Sequence, residues 1–134
     1  MKRAGVSLLF FSVATLVVAQ AQNFVGEYAD RNFLGGQATF QMSLEQSGNA
    51  VGVWFSAGYN DGHGIQPVAD GHGKISGKGT AEFTFNDSSH NAGTGTITHA
   101  GDDIIVSLKV THVADSRCLE VYRQNIRLKR VSKK

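Results

Sequence analysis

The sequence predicts an all-β domain: an antiparallel meander of seven or eight short strands, closed into a calycin-like barrel, with a β-sandwich as the alternative. Three observations carry this. Apolar and polar residues alternate strictly in one short run after another, the pattern of half-buried strands. Gly, Asn, Asp and Ser clusters separate the runs by short connections, so sequential strands pair with their neighbours. Only one Pro interrupts a chain of 134 residues, and a meander of eight strands best removes its unpaired edges by closing on itself.

The elements follow in order. A first strand is expected over residues 24–29. Phe40, Met42 and Leu44 then oppose Thr39, Gln41, Ser43 and Glu45, before a Ser47-Gly48-Asn49 turn. Val51, Val53, Phe55 and Ala57 oppose Gly52, Trp54 and Ser56, and Asn60-Asp61-Gly62 carries the Asp-Gly pair of tight hairpins. A strand over residues 68–75 precedes the stripe Ala81, Phe83 and Phe85. Beyond a polar loop, Thr94, Thr96 and Thr98 oppose Gly95, Ile97 and His99; Ile104, Val106, Leu108 and Val110 form the next inward face. Leu119, Tyr122 and Ile126 recur at helical spacing behind Asp115 or Ser116, which predicts a short capped turn. A last strand over residues 125–131 turns Ile126 and Leu128 inward.

Residues 1–21 read as a secretory signal peptide: Lys2 and Arg3, an apolar stretch over 6–18, and Ala19-Gln20-Ala21 ahead of a cut before Gln22. The stretch falls short of the roughly 20 residues a spanning helix needs, so no membrane span is expected. Residues 22–134 form one domain, placed in the periplasm or outside the cell. Cys118 is the only cysteine, which rules out an intrachain disulfide and favours a buried small hydrophobe over a reactive thiol.

Without Lys2 and Arg3, the remaining basic residues balance the 11 acidic ones. The charges are unevenly spread: residues 22–103 hold 3 basic and 9 acidic groups, residues 104–134 hold 8 and 2. A basic tail can meet a polyanion. The simpler reading is a dipolar surface with compensating charges, and the lack of aromatics interleaved with Arg127, Lys129 and Arg130 argues against nucleic acid.

Asp61-Gly62-His63-Gly64 returns as Asp70-Gly71-His72-Gly73. Two imidazoles and two carboxylates suit a zinc or copper site, but the nine-residue offset and the turn character of the glycines favour solvated His63 and His72. No His-Glu-x-x-His, Gly-x-Ser-x-Gly, Cys-x-x-Cys or phosphate loop occurs. The sequence therefore implies no enzyme and no cofactor. Trp54 lies off its strand's apolar stripe, either exposed as a contact or lodged in a second cluster. Ser76-Gly77-Lys78-Gly79 reads as a hairpin tip that presents an ammonium group.

The layout resembles the small calycin-like barrels that bacteria export, among them lipocalin-like proteins and periplasmic lysozyme inhibitors. Gly26-x-Tyr28 is similar to the Gly-x-Trp start of lipocalins, and the resemblance implies that Arg127 or Lys129 packs over that ring. Ser76-Gly77 and Lys78-Gly79 resemble the elements with which barrel-type inhibitors enter an acidic cleft. The expectation is an exported, non-catalytic binding protein for a small ligand or a protein partner, one form of which is an inhibitor or immunity protein against a cell-wall enzyme or toxin. A structural or surface-interaction protein is the alternative, and the oligomeric state is not legible.

Overall fold

In a computed structural model that describes residues 23–132, the chain is a closed eight-stranded antiparallel barrel in which every strand pairs with its sequence neighbour and β8 closes onto β1. The strands are β1 (Gly26–Phe33), β2 (Ala38–Ser47), β3 (Ala50–Tyr59), β4 (Val68–Ile75), β5 (Ala81–Asp87), β6 (Ala92–Ala100), β7 (Asp103–His112) and β8 (Ile126–Ser132). A 3-10 helix (Ser116–Val121) lies between β7 and β8. The barrel excludes the sandwich. The expected signal peptide, its cut before Gln22, and Lys133 and Lys134 lie outside the described residues.

The predicted stripes face inward. Phe40, Met42, Leu44, Val51, Val53, Phe55, Ala57, Ala81, Phe83, Phe85, Ile97, Ile104, Val106, Leu108, Ile126 and Leu128 are all buried. Their rings form a chain of contacts through the interior, Phe33 to Phe40 at 5.3 Å, Phe40 to Phe55 at 5.4 Å and Phe55 to Phe85 at 5.2 Å between centroids. Glycine makes room for them. A Cβ on Gly93 would stand 2.7 Å from Phe85 Cζ, so that ring lies flat across the neighbouring strand where any other residue would exclude it.

Four local expectations need correction. β1 starts at Gly26 and runs four residues beyond Ala29, because a bulge between Asp30 and Phe33 carries it past the end of the alternating pattern. Asp61-Gly62 does not close a tight hairpin; it belongs to a loop over 60–67, while its echo Asp70-Gly71-His72-Gly73 lies within β4. Val110 is half-buried, since a register shift between Ala92 and Gly93 interrupts the β6–β7 ladder beside it. The helical turn starts as predicted, with Asp115 Oδ1 accepting from Arg117 N–H at 3.0 Å. It buries Cys118 and Val121 and leaves Leu119 exposed, because three residues per turn bring other side chains inward than the α-period does.

Candidate functional site

The barrel has two ends and an outer wall, and the candidate residues fall on all three. One end, where β1 begins and β8 finishes, is plugged by Tyr28. Its hydroxyl donates to Phe24 O at 2.8 Å, and the Arg130 guanidinium carbon sits 4.9 Å from its ring centroid. Burial raises the Tyr28 pKa, against the opposing effect of Arg130. Arg130 Nη1 also donates to Val25 O at 2.8 Å. A Cβ on Gly26 would lie 2.5 Å from that nitrogen, so glycine admits the guanidinium. Phe24 stacks on His99 at 4.1 Å, and burial, then the charge of Arg130, lowers the His99 pKa.

The basic partner of Tyr28 is thus Arg130, not Arg127 or Lys129. Side-chain parity is the reason. Ile126 and Leu128 point inward, and the next residue of that parity is Arg130. Arg127 and Lys129 face out. Arg127 pairs with Asp103 at 3.2 Å, one compensating contact between the acidic and basic halves of the chain.

The 3-10 helix lids the opposite end. Tyr122 stacks on Phe85 at 5.3 Å, and its hydroxyl donates to Asp87. Asn91, 0% exposed, ties the lid down. Its Nδ2 donates to Asp87 Oδ2 at 3.0 Å, and its Oδ1 accepts from Ala114 and Asp115 N–H at 2.7 and 2.9 Å. Burial pushes the Asp87 carboxyl up, but the hydrogen bonds from Tyr122, Asn91 and Ser89 outweigh it and hold the pKa below the ordinary value. Burial and the Asp87 carboxylate push the Tyr122 pKa up. The sequence offered Tyr122 only as part of a helical spacing and did not single out Asp87 or Asn91, because a buried polar loop looks like a solvated one until its partners are known.

Beside the lid lies a groove of about 390 Å³. Leu34, Ala38, Ile65 and Val121 give it an apolar floor, and Tyr59, His63, Arg117 and Glu120 a polar rim. His63 Nδ1 lies 2.5 Å from Asp61 Oδ1, and its ring stacks on Tyr59 at 4.0 Å. Tyr59 OH donates to Glu120 Oε1 at 2.6 Å, which raises the Tyr59 pKa. Arg117 is held by Asp115, whose pKa it lowers to about 2.

His63 and His72 are not gathered into one site. His63 belongs to the β3–β4 loop, whereas His72 points outward from β4, about 13 Å along the strand from Val68 at the lid end. Among the described residues, no group of three His, Cys, Asp or Glu side chains is placed to hold a metal.

Trp54 and Lys78 are both on the outside but apart. Trp54 projects from β3 between Ser43 and Asp70, 38% exposed. Lys78 is exposed on the β4–β5 turn at the Tyr28 end, where Ser76 Oγ accepts Lys78 N–H at 3.3 Å. The Ser76 hydroxyl therefore shapes the tip and leaves Lys78 to present it. Among the described residues, no helix is long and apolar enough to cross a membrane. The chain matches no family model, and no curated protein or solved structure is detectably similar to it.

Proposed function

We propose that this chain is an exported, non-catalytic binding protein that engages a protein partner through its outer wall and turns. The observation that carries the reading is the filled interior: Phe40, Phe55 and Phe85, linked ring to ring through Phe55, occupy the space where a ligand-carrying barrel holds its cargo. Recognition is then left to the outside, where Trp54 offers a large half-exposed ring and Lys78 a charge on a braced turn. The polar groups at the lid support the same reading. Asp61 and His63 form a dyad, but the hydroxyl stacked beside them is Tyr59, whose raised pKa is the wrong direction for an activated nucleophile.

The test is capture of the partner from an extracytoplasmic extract, followed by titration with purified variants. Trp54→Ala is expected to weaken binding by about 2 kcal/mol or more, and Lys78→Glu to reverse attraction to an acidic cleft. His63→Ala and His72→Ala should bind as wild type. Wild-type affinity in both the Trp54 and Lys78 variants would overturn the reading. A second reading, a small ligand held beside the lid, is favoured by the apolar floor and polar rim of the groove there; in that case His63→Ala would abolish binding and Trp54→Ala would not.

A further inference from the structure

β8 divides its pairing in two. Ile126, Arg127 and Leu128 pair with β7, whereas the ladder to β1 joins Lys129, Arg130 and Ser132 to Ala29, Tyr28 and Glu27. Beyond Ala29, β1 pairs with β2 alone. A notch of about 480 Å³ lies at this seam, with Ala29 on its floor. Both walls carry bulges. The register shift in β1 falls between Asp30 and Phe33, where Arg31 and Asn32 both face out. The shift in β8 leaves Val131 between two paired residues, 55% exposed. Bulges stop pairing, and here the break between the two strands leaves the notch that Arg31, Arg127 and Lys129 line.

Arg31 is one of three basic residues between 22 and 103, yet it faces the basic last strand. Arg31 and Lys129 have no ion pair among the described residues. Of the nearby acids, Asp103 holds Arg127 and Asp30 accepts the Asn32 N–H at 2.9 Å. With Asp30 the one acid among the lining residues, three cations leave the notch net positive, which favours an arriving anion. We propose that this notch receives the carboxylate side chains of an extended acidic segment of a partner protein. The mixture of cations with the apolar Ala29 and Val131 suits carboxylates on aliphatic stems. No aromatic ring lines the notch to stack a base or a sugar, so a peptide is favoured over nucleic acid or an anionic glycan. The proposal rests on binding through the outer wall, but at a patch that contains neither Trp54 nor Lys78.

The experiment uses a short labelled peptide of alternating Glu and Ala, its Gln-Ala counterpart, an anionic polysaccharide and a single-stranded oligonucleotide, each titrated by anisotropy against the exported protein. The Glu peptide should bind and weaken as salt rises, with the Gln peptide at least about tenfold weaker. Arg31→Glu with Lys129→Glu should abolish binding. Should that pair fail to fold, Arg31→Gln with Lys129→Gln should still weaken binding clearly. Trp54→Ala and Lys78→Glu should bind the Glu peptide normally, so failure of the wall reading and failure of the notch are separable. The proposal is overturned by no binding of the Glu peptide, by equal binding of the Gln peptide, by indifference to both Arg31 and Lys129 substitutions, or by tighter binding of either other polymer.

Discussion

The two ends of the barrel solve one problem with different chemistry. Each is stoppered by a tyrosine whose hydroxyl must find a partner. At the end where the described chain begins, Tyr28 donates to a main-chain carbonyl and lies under Arg130, which itself reaches a second carbonyl. At the lid, Tyr122 donates to Asp87, a carboxylate that also accepts from Asn91, which in turn holds the chain entering the 3-10 helix. The first plug is a half-buried cation over a ring. The second is a buried network whose members satisfy one another, and removing one leaves the others unpaired. Fully connected buried networks are costly to break, whereas a half-exposed cation–π contact is worth about 1 kcal/mol.

The largest expected effect is therefore at the lid. Asn91→Ala removes the group that serves Asp87 and the N–H groups of Ala114 and Asp115, and should cost about 3 kcal/mol in a denaturant titration with little change in slope. Arg130→Ala, which cuts a comparable number of contacts at the other end, should cost about 1 to 2 kcal/mol. Equal losses would erase the distinction between the ends.

A smaller effect separates the ends by pH. His99 has a folded pKa below its ordinary 6.5, so the unfolded chain takes up its proton first. Stability tied to neutral His99 is complete above 6.5 and is lost as pH falls from there toward the folded value. Asp87 has a folded pKa below its ordinary 3.8, and its contribution is complete above 3.8 and lost as pH falls below it. Unfolding free energies measured across both windows should show two separate declines. His99→Phe, which keeps a ring against Phe24, should remove only the upper one, and Asp87→Asn should shrink only the lower, to which Asp61 and Asp115, also held below 3.8, contribute as well. A single decline that both substitutions abolish would mean that the ends do not act separately.

The same contrast explains what was legible in the sequence. Strand faces were, because alternation reports burial directly: Phe40, Met42 and Leu44 point in for the reason that Thr39 and Gln41 point out. Arg130 was within reach too, since it continues the parity of Ile126 and Leu128, but a charge at an inward position is easily assigned to the neighbouring outward ones. The lid was not legible. Asp87 and Asn91 belong to a loop of ordinary polar composition, and only the fold shows that Tyr122, 35 residues further on, meets them. Bulges are equally silent: the outward faces of Arg31 and Val131 follow the parity of Glu27 and Lys129, but the break in pairing between their strands could not be read from a regular period. Trp54 lay between two readings, and the outward face of β3 decides for exposure.

On the proposed reading, the filled barrel works from its outside. Native mass spectrometry of the protein recovered gently from the cells that produce it tests this most directly. The expected result is the mass of the chain alone, or of the chain with a protein partner that Trp54→Ala releases. A stoichiometric apolar small molecule retained by wild type and by Trp54→Ala alike would contradict it.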